Sequence, residues 1–362
     1  MLFTSNESLF VLFLIAPVIM VAAAAISASL ILALRPILTR YALARPGARS
    51  SHHEPTPQGG GAAVILATLV VAIAAAVSTG LTAGVSELSW VFTSAILIAT
   101  VGAADDVRAI AVGPRLFLQV IAVGMVIAVL PADFHVVPFV PSWIERLLLL
   151  IAGIWFVNVV NFMDGLDWMT VAEVMPVTSA LVLLGALGAL PIHGVIVALA
   201  LFGAMLGFAP FNRPVARLFL GDVGSLPIGL LLAWLLMLVA GHGYFAAAIL
   251  LPLYYVADAT ITLVRRLING ESVLQAHRGH FYQLATDRGF SVQQVVGRVF
   301  AVNLLLVALA VASVNFASWW ASSTALALGV IVVSLLLASF ARGCVIQAAS
   351  PRKSGTASRN TR

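Results

Sequence analysis

The chain has 362 residues, of which 62% are hydrophobic and only 9% are charged, and its formal net charge is +5. Charged residues make up about a quarter of an ordinary soluble domain, so this composition excludes one and indicates an integral membrane protein. The single cysteine, Cys344, excludes an internal disulfide.

Apolar stretches along the chain predict an all-α integral membrane protein, a polytopic bundle of about eleven transmembrane helices of roughly 20 residues each. The stretches centre on residues 9–34, 61–79, 88–103, 115–130, 143–160, 171–189, 191–208, 225–240, 243–263, 298–314 and 319–341. The first one lacks a small-residue cleavage site at a suitable distance, which favours a membrane anchor over a removed signal peptide. We expect one transmembrane domain over residues 1–341, followed by a basic tail, 342–362, that is cytoplasmic and disordered.

Basic residues are concentrated in alternate loops. All of the 19 Lys and Arg residues except Arg146 fall in the loops at one end of the bundle or in the C-terminal tail. Because Lys and Arg accumulate on the cytoplasmic side, this predicts an N-terminus outside and a C-terminus inside. Topology and anionic lipid headgroups explain the basic character, so we expect membrane lipid and no nucleic acid as a partner.

Four polar clusters lie in the same loops as the arginines. They are "GAADDVRAI", "NVVNFMDGLDWMT", "FLGDVGSLPIG" and "AHRGHFYQ". Taken singly, each cluster also fits a solvated helix end. Ionisable groups at membrane depth are costly and usually mark a functional cavity, so four clusters at one face favour such a cavity.

The first two clusters place acids and amides at fixed spacings. Adjacent residues on a helix diverge by about 100°, so Asp105 and Asp106 must face different groups, one of which could be a metal. Asn158, Asn161, Asp164 and Asp167 recur every third residue, a spacing that drifts about 60° per step on an α-helix. An unwound or 3₁₀-like end near a glycine would bring them closer into line, as a polar ladder descending into the cavity. Simple helix capping is the alternative role for the two aspartates.

The other two clusters suit phosphate and a hard cation. Ser225, followed soon by a proline, predicts a helix N-terminus whose N–H groups attract phosphate, and Asp222 beside it can hold a cation. Mg²⁺ bound through one or two carboxylates plus substrate phosphates fits such sparse ligands. Arg278 suits bidentate phosphate contact, and His277 and His280 can donate to oxygens. Zinc would need further Cys or carboxylate ligands that this segment lacks.

With these motifs in order and on one membrane side, the chain resembles the polyprenyl-phosphate N-acetylhexosamine-1-phosphate transferases. The resemblance runs from "SHHEPTPQGGG" to "AHRGHFYQ", and includes the Asp-Asp pair, "NxxNxxDGxD" and "GDxGS". It implies transfer of an N-acetylated amino sugar-1-phosphate from a UDP-sugar to undecaprenyl phosphate, with release of UMP. It also implies Mg²⁺, with Mn²⁺ as a substitute, and a bacterial inner-membrane protein whose active site faces the cytoplasm. A homodimer is a further expected partner arrangement.

Site roles follow from the same resemblance. Asp222 would be the direct Mg²⁺ ligand, with Asp164 as a second, and Asp105 and Asp106 would lie by the lipid phosphate and the metal. The nucleotide-sugar pocket and the diphosphate contacts would come from Asn158, Asn161, Asp164, Asp167, His277, Arg278 and His280.

Several positions depart from the family pattern or are left without a role. Trp168 stands where relatives usually have glycine, and Gln58 replaces a common arginine. The "AHRGHFYQ" segment lacks consecutive histidines and is more similar to the branch that starts O-antigen or capsule synthesis with acetylated deoxyamino sugars such as N-acetylfucosamine. Asp258 could pair with Arg265 or tune the site, and Glu173 has no assigned role.

Some features of the chain allow other interpretations. The Gly-rich "PTPQGGG" segment favours close helix packing over ligand contact. His193 and His242 lie in outer turns and are expected to be non-catalytic. A phospho-N-acetylmuramoyl-pentapeptide transferase is the alternative within the family. A secondary transporter is the alternative outside it, although transporter sites lie near the midplane on broken helices, often with internal repeats.

Overall fold

The computed structural model describes residues 5–44, 55–81, 84–137, 139–272 and 278–344, which form a helical bundle with one short β hairpin. The hairpin pairs β1 (Leu43–Ala44) with β2 (Thr56–Pro57) in antiparallel register. The helices are α1 (Ser5–Tyr41), α2 (Gly61–Ser78), α3 (Val85–Val107), α4 (Val112–Ala128), α5 (Ser142–Met163), α6 (Met169–Ala186), α7 (Ile192–Phe208), α8 (Asp222–Gly241), α9 (Phe245–Leu250), α10 (Leu253–Ile268), α11 (Phe281–Asp287), α12 (Val292–Phe316) and α13 (Trp319–Arg342). Of the predicted tail, 342–362, the structure describes only residues 342–344, where Arg342 ends α13, and residues 345–362, with the expected disorder, lie outside the described residues.

The predicted all-α membrane bundle is confirmed. Eight helices of the described chain are long and apolar enough to cross a membrane, and α4 and α7 are shorter apolar helices. The expected ninth segment, 243–263, is instead divided into α9 and α10 around Leu251 and Pro252. Pro252 lacks the N–H that a continuous helix would use at this point, although Pro176 and Pro227 are accommodated within α6 and α8. The short α11 and the β hairpin were not predicted.

Helix α8 is the centre of the bundle. Its most apolar window is 100% buried, and it packs against α2, α3, α5 and α9. A helix that is apolar all round is expected to be surrounded by other helices, and α8 has that composition apart from its first turn. Asp222, the first residue of α8, is only partly buried and lies at one end of this otherwise buried helix.

Glycines allow α8 to approach its neighbours closely. A Cβ on Gly61 would collide with the backbone of Gly224, and a Cβ on Gly102 would collide with the backbone carbonyl of Asp222. The Gly60 and Gly61 N–H groups donate to the carbonyls of Phe219 and Leu220, at 2.9 and 2.8 Å. The predicted packing role of the Gly-rich segment is thus confirmed. These contacts hold the start of α8 against the ends of α2 and α3.

The opposite end of the bundle carries a separate set of polar contacts. Arg146 donates to the carbonyls of Ile127, Leu130 and Pro131 and so caps the end of α4. His193 lies 3.4 Å from Glu87. Glu87 and Arg146 lie near the starts of α3 and α5, at the opposite ends of these helices from the predicted site residues.

Candidate active site

The adjacent aspartates at the end of α3 have separate partners, as their 100° divergence predicted. Asp106 accepts hydrogen bonds from the backbone N–H groups of Asp222 and Val223, at 2.9 and 3.1 Å. Its carboxylate thus caps the N-terminus of α8, where the helix dipole favours negative charge. The Gln58 side chain donates to the Asp106 carbonyl at 2.8 Å, which fixes the same turn. Asp106 therefore sets the position of α8, and its predicted catalytic role stays a prediction.

Asp105 faces a different group, a guanidinium. One of its oxygens accepts from the Ile110 N–H at 2.6 Å, and the other lies 3.0 Å from Nη1 of Arg115. The same nitrogen of Arg115 is 3.6 Å from Oδ2 of Asp222. A carboxylate pair from α3 and α8 is thus bridged by one arginine from the first turn of α4.

Asn161 joins α5 to this pair. Its Nδ2 donates to Oδ1 of Asp222 at 2.7 Å and to the Ser225 hydroxyl at 2.9 Å. Asn158, one turn earlier, exchanges hydrogen bonds with Gln119 of α4 instead. Only the nearer amide contacts the α8 acid, and the farther one joins α4 to α5.

The predicted polar ladder is broken where α5 ends at Met163. Asp164 is the C-cap residue, and its side chain accepts a hydrogen bond from the Thr170 hydroxyl. Burial raises the pKa of Asp164 to about 7, against the opposing hydrogen bond from Thr170, and the nearby charges of Asp106 and Asp167 act in the same direction as burial. Asp164 thus lies beside the site with a strong tendency to hold a proton.

Asp167 and the residue after it fasten the loop between α7 and α8. Asp167 accepts from the Ala216 N–H at 2.9 Å. Trp168 has a left-handed φ of 63°, and its indole N–H donates to the Ala209 carbonyl at 2.6 Å. Its backbone N–H donates to the Asn212 side chain at 2.7 Å. Trp168 therefore connects the loop after α5 to the chain that leads into α8.

Asp258 organises the segment that follows α10. Fully buried, it accepts from the backbone N–H groups of Phe281 and Tyr282, at 2.9 and 3.2 Å, and from the Tyr254 hydroxyl. His280 Nδ1 lies 3.4 Å from the same carboxyl group. Arg265 does not pair with Asp258; it donates to the Gly279 carbonyl at 2.7 Å. The structure therefore does not support the pairing with Arg265, one of the two roles left open for Asp258, and shows that Asp258 holds residues 280–282 in place.

The same segment reaches the end of α5. The Tyr282 hydroxyl donates to the Phe162 carbonyl at 3.0 Å, and a Cβ on Gly165 would collide with that hydroxyl. Gly165 is thus required for close approach. Arg278 pairs with Asp287 of α11, at 3.0 Å, and His277 lies outside the described residues. The structure thus brings residues 280–282 beside the end of α5, as expected.

A divalent cation fits one part of this arrangement. Asp106 is occupied by two backbone N–H groups, so the acids with oxygens directed toward a shared cation are Asp105 and Asp222, where Arg115 now lies. Two carboxylates suit Mg²⁺, which keeps several waters and takes further ligands from substrate phosphates. No group of three or more His, Cys, Asp or Glu residues in the described chain converges as a complete cage. The predicted second ligand, Asp164, stays a prediction.

Sequence reasoning missed the residues that hold the acids in place. Arg115 was counted only as a topological charge, and Gln119, Asn212 and Tyr282 were not singled out. Arg115 lies ten residues after Asp105, beyond a short non-helical turn, so only the path of that turn brings the two together.

Comparisons with known proteins give one matching family and several similar enzymes. Residues 88–240, which include the Asp pair, the end of α5 and the start of α8, match the family described as glycosyl transferase family 4. The chain is 22% identical to a probable undecaprenyl-phosphate N-acetylglucosaminyl 1-phosphate transferase of Bacillus subtilis, over 76% of this chain and 82% of the relative. It is 27% identical to a decaprenyl-phosphate N-acetylglucosaminephosphotransferase of Mycolicibacterium smegmatis, over 81% and 79%. It is 26% identical to a phospho-N-acetylmuramoyl-pentapeptide-transferase of Aquifex aeolicus, over 62% and 71%.

Proposed function

We propose that this chain, which belongs through residues 88–240 to glycosyl transferase family 4, transfers an N-acetylhexosamine-1-phosphate from a UDP-sugar to undecaprenyl phosphate. The products are UMP and a lipid-linked diphosphate sugar. In this reaction an oxygen of the lipid phosphate forms a bond to the sugar-linked phosphorus, and the bond from that phosphorus to UMP breaks. The Bacillus and Mycolicibacterium relatives, of whose length this chain covers 82% and 79%, are named as enzymes of this reaction class.

One observation carries the proposal: the bridged pair of Asp105 and Asp222 lies at the same end of the bundle as residues 278–282. A transfer between two phosphate-bearing substrates needs groups that hold charge and position oxygens. A transporter would instead place its acids near the membrane midplane on broken helices. Here they lie at the end of α3 and in the first turn of α8.

Asp105 and Asp222 would hold Mg²⁺, with Mn²⁺ as a substitute. When bound, this ion would neutralise charge on the phosphate oxygens. Asn161 orients Asp222 by donating to its Oδ1 at 2.7 Å. Asp106 holds the start of α8 so that Asp222 faces Asp105. In this proposal Asp164 and Asp167 contact the nucleotide sugar, and the hydrogen bonds of Trp168 to Ala209 and Asn212 hold the chain beside them.

The sugar is an acetylated deoxyamino sugar in this proposal, and the product starts O-antigen or other envelope polysaccharide synthesis. The support is that a single histidine, His280, precedes "FYQ", where consecutive histidines are absent. Next to it, the Tyr282 hydroxyl packs closely against Gly165. Similarity to the Aquifex enzyme supports a second candidate substrate, UDP-N-acetylmuramoyl-pentapeptide, which belongs in the same test.

The test uses purified protein with undecaprenyl phosphate, Mg²⁺ and a panel of UDP-sugars. The panel contains UDP-N-acetylglucosamine, UDP-linked acetylated deoxyamino sugars and UDP-N-acetylmuramoyl-pentapeptide. We expect UMP and a lipid-linked diphosphate sugar only when lipid, sugar nucleotide and divalent cation are all present. Release of UMP that does not depend on the lipid, or no product with any sugar, would contradict the proposal.

Two neutralising substitutions give the matched control. Asp222→Asn should lose Mg²⁺-dependent turnover, because an amide is a poor ligand for a hard cation. Asp133→Asn changes an exposed acid in the loop after α4, at the opposite end of the bundle, and should leave turnover unchanged. Equal activity of the two variants would remove Asp222 from the metal site.

The proposed location is the bacterial inner membrane with the site on the cytoplasmic face. In a Cys344→Ser background, a cysteine at exposed Ala104 should be labelled by an impermeant reagent only from the cytoplasm. A cysteine at Phe139, which is 88% exposed at the other end, should be labelled only from outside. The reverse pattern would invert the proposed topology.

A further inference from the structure

Arg115 occupies the place between the two acids that the proposed reaction assigns to a cation. Its Nη1 is 3.0 Å from Asp105 and 3.6 Å from Asp222. The Arg115 side chain is 20% exposed, that of Asp105 is 13% exposed and that of Asp222 is 26% exposed. One guanidinium nitrogen thus bridges helices α3 and α8 at their most acidic point.

The three groups cannot all keep these positions when a divalent cation is bound. An arginine side chain stays protonated at every physiological pH, so it cannot leave the carboxylates by losing its charge. A metal ion at Asp105 and Asp222 would repel the guanidinium and take the oxygens that it now contacts. Arg115 therefore has to move when the metal enters.

We propose that Arg115 is an exchangeable counter-ion: it neutralises the Asp105 and Asp222 pair before the metal binds, and then transfers its contact to a phosphate oxygen of the substrate. This inference rests on the proposed function, because the metal and the phosphate come from it. Arginine suits both states, since its planar fork matches carboxylate and phosphate oxygens alike. Metal binding and phosphate binding are then coupled through one side chain.

Neither neighbouring arginine fits this role as well. Arg108 is exposed just beyond the end of α3, and Arg278 pairs with Asp287 across its own segment. Arg115 lies in the first turn of α4, where its long side chain can turn away without movement of the helix.

The test measures two binding equilibria on full-length protein in nanodiscs. The first is Mn²⁺ binding without nucleotide, followed by electron paramagnetic resonance of the free ion. The second is UMP binding at saturating Mn²⁺, followed by calorimetry. Because Arg115 competes with the metal, Arg115→Gln should bind Mn²⁺ at least about tenfold more tightly. Because it also contacts phosphate, the same variant should bind UMP at least about tenfold more weakly.

Opposite changes in the two affinities separate this role from general damage to the site, which would weaken both. The control Arg108→Gln should change neither affinity. Unchanged or weaker Mn²⁺ binding by Arg115→Gln, while the wild type binds Mn²⁺, would overturn the inference and leave the proposed function standing. Absence of Mn²⁺ binding by the wild type would instead overturn the metal assignment, and the inference with it.

A second variant covers the case in which Arg115→Gln is not recovered folded. Arg115→Lys keeps the charge but not the fork, so it should hold the acids less tightly and bind phosphate less well. We expect tighter Mn²⁺ binding and weaker UMP binding than in the wild type, by smaller factors. Wild-type values for both affinities in Arg115→Lys would overturn the proposal.

Discussion

Replacement of Asp106 by asparagine and by alanine distinguishes a capping role from a catalytic one. In the structure, its two oxygens accept from the backbone N–H groups of Asp222 and Val223. Asparagine keeps one acceptor oxygen for one of these N–H groups, whereas alanine keeps none. If Asp106 acts through the cap, asparagine should preserve much of the function that alanine destroys.

The magnitude follows from the two hydrogen bonds. Loss of a helix N-cap costs about 0.5 to 2 kcal/mol, and a buried N–H without a partner costs about 1 to 3 kcal/mol. We therefore expect Asp106→Ala to lower the free energy of unfolding by about 2 to 4 kcal/mol and Asp106→Asn by about 1 kcal/mol. At about 2 °C per kcal/mol for a chain of this size, the melting temperatures should fall by about 4 to 8 °C and about 2 °C.

The assay combines thermal unfolding in detergent with turnover of UDP-sugar and undecaprenyl phosphate. Asp106→Asn should retain at least about a tenth of wild-type turnover, since a loss of about 1.4 kcal/mol in positioning corresponds to one factor of ten. Asp106→Ala should fall well below that level, because the first turn of α8 carries Asp222 and would move.

A general base gives the opposite pattern. Removal of a base lowers the rate by roughly 100- to 10,000-fold whichever neutral side chain replaces it. Two variants that are equally inactive, both with wild-type melting temperatures, would therefore refute the capping argument and support direct chemistry by Asp106.

Three further predictions concern the surroundings of the site. Gly102→Ala should lower both stability and turnover, because its Cβ would collide with the Asp222 backbone. In the control Gly124→Ala the new Cβ would meet no atom within 4 Å, so this variant should be neutral or more stable by up to about 1 kcal/mol. Equal melting temperatures of the two variants would contradict the packing argument. Since the pKa of Asp164 is raised to about 7, the native state holds its proton between about pH 4 and 7 and loses stability as the pH rises through that window, by up to about 4 kcal/mol. Asp164→Asn should therefore gain in melting temperature relative to the wild type between pH 5 and pH 8 in EDTA, and a pH-independent difference would argue against a raised pKa. Asp258→Asn should speed amide hydrogen exchange in residues 278–283 and raise the KM for the UDP-sugar more than that for the lipid, whereas unchanged exchange would show that this acid does not hold the segment.

Much of the fold follows from local sequence properties. Runs of about 20 apolar residues have few alternatives to a spanning helix, because backbone polar groups in lipid must be satisfied within the segment. The position of α8 at the centre is also consistent with its composition, since only its first turn is polar. The break between α9 and α10 was missed because Pro252 lies in an uninterrupted apolar run, where hydropathy alone does not register the lost hydrogen bond.

The sequence by itself determined that the four polar clusters share one end of a helical membrane bundle, because helix length and alternation of charged loops are properties of the chain read in order. Their partners were decided only by the tertiary structure. Asp106 meets the start of α8 across 116 residues of sequence, and Asn161 meets Asp222 across 61. Such contacts depend on how closely glycines such as Gly102 let two helices approach, and on which rotamer a side chain adopts there. No residue spacing along a single helix encodes either quantity, so the sequence could supply the acids of the site but not their pairing.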